Sequence, residues 1–303
     1  MLVLDAGNAL FKSLSPDSDP KGKERASLLL EQMEALGTSA MAVGARDLTL
    51  GTDFLAKATK GGKMKLLSVN LVDAGSKSLF PASTVVTVGE VKFGLVGVSP
   101  EGEVAGQKGV VGKPPLPLAI AEARRLREKE KVDVVVVLAA VPFLDALKLS
   151  RESGDTMDFI IQSHEGRSPG VAQRNDYATL IPPGERGKQI ARLELSLDGK
   201  GPFVDLTEAE RSQRSLKILD ENIQQAKDRM AKLKDESARK ALEEALANFQ
   251  SRRKQLAAQA GASSQGLKRT HRLSYIQLGP DVAGDSELQK RVERIEPPGS
   301  ASH

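Results

Sequence analysis

The chain has no cysteine and no tryptophan in its 303 residues, so disulfides, thiolate ligands and nucleophilic thiols are excluded. That absence leaves the compartment open. Aromatic residues make up only 3%, which argues against base stacking and against a carbohydrate platform. Charge of one sign is lacking too. The 44 basic and 40 acidic residues leave a net charge of +4, too balanced for a polyanion-binding surface, and no nucleic-acid partner is expected. No apolar run is long enough to cross a bilayer, and no basic-then-apolar leader precedes the first strand-like run. Histidine is scarce, at His164, His271 and His303, which leaves little material for acid–base or metal work. Gly106 to Lys113 is glycine-rich but lacks P-loop spacing, and Pro114 would block the helix that must follow. Gly-x-Ser-x-Gly, His-Glu-x-x-His and dinucleotide fingerprints do not occur.

What is present is a core. Hydrophobic residues amount to 40%, and the length accommodates one domain of about 200 residues with an appendage. Strand-like runs are predicted at 1–5, 39–43, 65–70, 83–89, 91–98, 132–138, 157–162, 177–182 and 189–197. Helical patterns fall at about 22–36, 52–60, 115–131 and 142–153. The continuous, β-branched run Val132 to Leu138 implies a strand buried on both faces. Gly37 is expected to end the first helix, Thr52 to start the second, and Pro114 to Pro117 to mark a break before the third. Val88-Gly89-Glu90-Val91 reads as a hairpin turn.

The pattern changes after Asp205. Leu216, Leu219, Ile223, Ala226, Met230 and Leu233 are spaced three and four apart, as in a coiled-coil seam. A second seam, Ala238, Leu242, Ala245, Phe249 and Leu256, follows in a shifted register. Asp235-Glu236-Ser237 lies between them and suits a turn that also caps the second helix. An antiparallel helical hairpin of about 208–234 and 237–259 is therefore expected. Its mixed charges suit a solvated outer face rather than a membrane surface. Beyond Gly261 to Gly266 come a possible strand at 270–278, a short helix at about 285–295 and a tail from Pro297. The expected domains are 1–205, 206–260 and 261–303. The hairpin at 206–260 is expected either to pack back on the first domain or to dock a protein partner or a second copy.

Several segments, in order, resemble one family. Leu2 to Asn8 is similar to a strand and turn ending in Ala-Gly-Asp, and Met33 to Gly37 with Ala40 to Gly44 to the helix and strand leading into Gly-Asn-His-Glu. Asn70, Lys92 to Val98, and Val132 to Ala140 follow at matching places, the last resembling a strand that ends in Leu-Ser-His. Asp158 to Glu165 resembles the strand before Gly-His-x-His, and Gly187 to Leu195 the closing strand. Residues 1 to about 200 thus resemble the calcineurin-like metallophosphoesterases, in particular the periplasmic 5′-nucleotidase branch. The resemblance implies an α/β fold, a four-layer α/β/β/α sandwich with the helical hairpin appended. It also implies a periplasmic or cell-envelope location. The family's first strand, with its Asp-x-His, would lie upstream of Met1. A hairpin stands where the branch has a domain whose aromatic side chains stack on the base.

The same resemblance implies that the metal chemistry is gone. A metal pair needs a bridging carboxylate with imidazole and carboxamide ligands. Asn8 stands where the family has that carboxylate, Ala45 and Arg46 replace the Asn and His, and Asp47 takes the place of Glu. Ala140 and Gly166 replace two further ligand histidines, and His164 is the one retained candidate ligand. Candidate ligand-binding residues are Asp5, Asn8, Arg46, Asp47, Asn70 and His164. The expectation is a non-catalytic binding or scaffold module of the cell envelope with no cofactor. The alternative is a metal-dependent hydrolase of nucleotides or other phosphate esters, using manganese or zinc at a rearranged site of Asp5, Asp47 and His164, with or without residues upstream of Met1. Arg46 and Asp47 are expected to form a loop ion pair. The other reading makes Arg46 the substitute for a lost cation, pairing with Asp5 or Asp47 or binding phosphate without hydrolysing it. Asp47 also suits a helix cap, and His164 an ordinary loop histidine at a strand end. Ser163 and His164 are not a triad, since neighbours on a strand point to opposite faces.

Overall fold

The computed structural model describes residues 1–163, 172–175, 177–184, 187–232, 235–264 and 269–297, with main chain only at 208, 209 and 259–264. The fold is mixed α/β. The chain divides into two compact units, one of Met1–Ala191 with Tyr275–His303, the other Arg192–Ser274.

In the first unit, β1 (Val3–Asp5), β2 (Thr38–Ala42) and β3 (Lys65–Leu67) form a parallel sheet in that order. A six-stranded sheet contains β5 (Ser83–Val88), β6 (Val91–Val98), β9 (Val134–Ala139), β10 (Phe159–Gln162), β11 (Gln173–Asn175) and β12 (Ala178–Ile181). Its order is β11-β12-β10-β9-β6-β5, with β6, β9, β10 and β12 parallel and both edge strands antiparallel to their neighbours. A small ribbon of β4 (Leu71–Val72), β8 (Val111–Gly112) and β7 (Gly102–Glu103) lies outside these sheets.

Strand alternation accounts for the packing of β6. Val96 and Val98 join a buried cluster with Ala119, Ala123 and Leu126 of the segment beginning at α3 (Pro115–Arg125) and with Ala146 and Leu149 of α4 (Phe143–Glu152). Residues of the other parity turn the opposite way. A Cβ on Gly97 would come within 2.3 Å of the Leu67 carbonyl oxygen of β3, whereas one on Gly94 would meet Leu126. One glycine therefore sets the approach of β6 to β3, and the other its approach to the helical layer. On the far side of the parallel sheet, Met41 and Leu66 pack with Ala26 and Leu30 of α1 (Gly22–Ala35) and Leu55 of α2 (Gly51–Ala58). All six residues of β9 are buried.

Some local signals act where expected, whereas Thr52 does not start α2, whose N-cap is Leu50. Gly37 ends α1 in the left-handed region at φ 75°. Val88 pairs with Val91 across Gly89-Glu90, with Gly89 at φ 61°, which suits a two-residue turn whose first residue is Gly. The helix from Pro115 does not run unbroken to 131. It passes into a π turn over Leu126–Glu130 and stops at Lys131, at φ 56°. α7 (Ser286–Ile295), capped by Asp285, is tied to α1 by Arg291 and Glu31, and Glu296 bonds Lys12 and Arg25.

The second unit joins a helix pair to a sheet. Its strands are β13 (Gln189–Leu197), which starts in the first unit, β15 (Arg269–Gln277), which ends there, and β14 (Val204–Asp205), in the order β13-β15-β14. α5 (Leu206–Met230) is capped by Asp205 and packs against α6 (Glu236–Ser264). Leu219, Ile223 and Ala226 of the expected seam are buried, whereas Ala238 is exposed. Asp235 caps α6 by accepting from the Ala238 N–H. Arg269 stacks on the Phe203 ring, 4.1 Å from its centroid, and donates to the Gly201 carbonyl. His271 is buried with Nε2 3.9 Å from Asp205. Arg192–Asp205 and Arg269–Ser274 thus fall in the same compact unit as the two helices.

Candidate functional site

The C-terminal ends of β1, β2, β9 and β10 meet at one place, where open α/β sheets carry their ligand sites. After Asp5 the chain turns through Gly7 at φ 91° and Asn8 at φ 59°. A side chain at Gly7 would strike the Ala42 carbonyl at 2.5 Å and the Ala140 Cβ at 3.0 Å. The turn is thus pressed between the ends of β2 and β9, and only glycine fits.

Asn8 holds the site together. Its Nδ2 donates to Ser163 Oγ at 3.1 Å, and its Oδ1 accepts from the Arg46 N–H at 3.2 Å. Gly44 leaves room for this amide, since a Cβ there would lie 2.2 Å from Asn8 Oδ1. Ser163 is fixed in turn by its own N–H, which donates to the Ala139 carbonyl.

Asp47 is fully buried and accepts three main-chain hydrogen bonds. Oδ2 takes the N–H of Asn8 at 2.7 Å and of Gly44 at 2.8 Å, while Oδ1 takes that of Leu10 at 3.1 Å. Burial pushes its carboxyl up to about 7, with the nearby Asp5 adding to the rise and the three N–H donors pulling it down. Asp5 is raised by burial as well, partly offset by the Gly7 N–H that donates to it at 2.7 Å. The expected Arg46–Asp47 ion pair does not form: the carboxylate faces main-chain donors because the loops after β1 and β2 have N–H groups that must be satisfied out of water. Nor does Asp47 cap a helix, since Ala45 and Leu50 hold the capping positions on either side of it.

The other sequence candidates separate. Asn70 stands apart, in a buried knot of its own. Its amide donates to the carbonyls of Ser99 and Lys113 and accepts from the Ser99 N–H, all at 2.9 Å, with Ser68 Oγ at 3.4 Å. That uses its full hydrogen-bonding capacity. Ala140 is buried and presents no donor atom; Ala45 and Arg46 are half-buried. His164 and Gly166 lie outside the described residues. The part of Ser163 as partner of Asn8 had no signal in the sequence beyond a polar residue at a strand end.

The described donors do not fit a metal pair. Asn8, which the resemblance sets at the bridging position, is an amide with both polar atoms engaged, the Asp47 oxygens carry three main-chain bonds, and Ala45 and Ala140 stand where the resemblance sets two ligands. Among the described residues no three His, Asp or Glu side chains converge in a way that could hold a metal ion.

No protein-family model matches the chain. In sequence it is 30% identical over 179 residues to an apyrase of Aedes aegypti, which takes in 49% of this chain and 31% of that one. Among solved structures, a 5′-nucleotidase precursor from Thermus thermophilus aligns with a TM-score of 0.54 at 25% identity, over 66% of this chain and 43% of the other. The calcineurin-like phosphoesterase YfkN from Bacillus subtilis shares the fold at TM-score 0.53 and 18% identity, over 66% of this chain and 72% of its own. The chain thus spans about a third of the length of the curated apyrases it matches. In sequence it is similar to an apyrase and to a 5′-nucleotidase, and its fold is similar to that of a calcineurin-like phosphoesterase, as the metallophosphoesterase resemblance implies.

Proposed function

We propose that this chain is a phosphoesterase-like binding or scaffold module that does not hydrolyse phosphate esters. The observation that carries the reading is the Asn8–Asp47 arrangement. The polar atoms best placed to hold a metal pair are committed to main-chain donors and to Ser163. The fuller architecture proposed is a four-layer α/β/β/α sandwich bearing an antiparallel hairpin of α5 and α6. In this reading the hairpin is the arm that meets a protein partner, in the periplasm or cell envelope. Location and partner both rest on the family resemblance.

The apyrase and 5′-nucleotidase relatives support a second reading, a metal-dependent hydrolase with a rearranged site of Asp5, Asp47 and His164. One experiment separates the two. The untagged protein is incubated with manganese and zinc, its bound metal is measured, and release of phosphate from nucleotides is followed with and without chelator. Near-zero metal and no chelator-sensitive release are expected. Two equivalents of metal per chain with chelator-sensitive turnover would establish the hydrolase and overturn the proposal.

A further inference from the structure

β13 is a nine-residue strand at the end of its sheet, and among the described residues no strand pairs with its outer edge. The direction of its main chain is fixed at one end. The Leu278 N–H donates to the Lys188 carbonyl at 2.7 Å, which turns even-numbered residues toward β15. Alternation then directs the N–H and C=O groups of Ala191, Leu193 and Leu195 toward the open edge. From Ala191 to Leu195 this edge is a template for another strand.

The side chains specify which strand. Arg192 and Glu194 lie on one face, 2.5 Å apart and largely exposed, and sit symmetrically about Leu193. Charged residues on an edge ordinarily repel a second strand. Here a second copy of β13, run antiparallel with Leu193 opposite Leu193, sets Arg192 of each copy across from Glu194 of the other. The same register makes Leu193 a hydrogen-bonded pair, as its outward main-chain groups require. Arg192 and Glu194 then occupy the non-hydrogen-bonded positions, where side chains stand closest. It also matches Ala191, which is exposed, with the half-buried Leu195 on the other face. Hydrogen-bond parity and charge pattern thus select the same register, and the contact closes on itself as a two-fold pair.

We infer that β13 is a self-association edge through which two copies of this chain join by antiparallel strand addition centred on Leu193. A single strand pair is small beside an ordinary stable interface. The dimer is therefore weak and grows with concentration.

Sedimentation of the full chain across the micromolar range tests this, with Arg192→Glu, Glu194→Arg, the double exchange Arg192→Glu/Glu194→Arg, and Leu193→Pro. The wild type is expected to show a reversible monomer–dimer equilibrium. Each single charge change, which places like charges opposite one another twice per dimer, weakens it at least about fivefold. The double exchange restores it, because the pattern is again self-complementary. Leu193→Pro removes an outward N–H and abolishes dimerisation with the circular dichroism spectrum retained. A wild type that stays monomeric throughout overturns the inference. So does a dimer that the single changes and Leu193→Pro leave intact. If a single change unfolds the chain, recovery of both fold and dimer in the double exchange still decides the matter.

Discussion

At the residue scale, Asp47 shows how one buried side chain can hold two loops together. Its carboxylate ties the loop after β1 to the loop after β2 through three buried N–H groups. Asp47→Ala leaves those donors unmet, and a loss of about 3 kcal/mol is expected, read from urea denaturation. The raised carboxyl also gives stability a pH dependence of definite sign. Between its ordinary value of 3.8 and about 7, the folded protein holds a proton that the unfolded chain has released. Stability is therefore greatest on the acid side of that window, falls by up to about 1.4 kcal/mol per pH unit as pH rises, and levels off above 7. The carboxyl of Asp5, also raised, contributes in the same direction. Glu31, Glu34 and Glu296 are lowered, so their effects lie on the acid side of the ordinary glutamate range. Urea midpoints at pH 5, 6, 7 and 8 for wild type and Asp47→Asn isolate the Asp47 part. An unchanged slope in the variant would assign the titration to another group.

At the element scale, the close approach of β6 to β3 depends on Gly97. An added Cβ meets main-chain atoms of Leu67, which cannot swing aside as a side-chain tip can. Gly97→Ala is expected to cost about 2–4 kcal/mol. Gly37→Ala is the contrast: nothing lies within 4 Å of its Cβ, but φ is 75°, so only backbone strain of about 1 kcal/mol is expected. Thermal melts of the two variants separate overlap from strain. Similar losses would show that β6 and β3 yield more readily than close packing allows. The same elements show what a sequence can reveal. The runs at 83–89, 91–98 and 132–138 are strands because apolar patterning and a turn glycine act locally. The strands Leu71–Val72, Gly102–Glu103, Val111–Gly112 and Val204–Asp205 are two residues each. They carry no period and exist through pairing with distant segments. At the site, order along the chain was enough to group Asn8, Arg46 and Ala140 at strand ends. The orientation of Asp47 toward main-chain donors, and the commitment of Asn70 to Ser99 and Lys113, depend on contacts between segments far apart in sequence.

At the scale of the whole molecule, the question under the proposed reading is whether the scaffold could accept a metal if its side chains were changed. Asn8, Arg46, Ser163 and Ala140 still gather where four strands end, so the frame can be refitted. Restoring the residues the resemblance implies, Asn8→Asp, Ala45→Asn, Arg46→His and Ala140→His together, makes the local formal charge more negative by two. The added carboxylate stands close to the buried Asp47 and Asp5, and Asn8 loses the amide that donates to Ser163. Without metal the variant is expected to melt below wild type, since unpaired like charges out of water repel. With millimolar manganese it should recover by RT ln(1 + [Mn]/Kd), about 2.7 kcal/mol when the metal is at a hundredfold excess over Kd, while the wild-type midpoint does not move. The charge that destabilises the empty variant is the charge that binds the ion, so the two shifts must appear together. A variant that is destabilised but indifferent to manganese would show that main-chain changes around Gly7 and Gly44, and not the side chains alone, separate this chain from a metal-binding site.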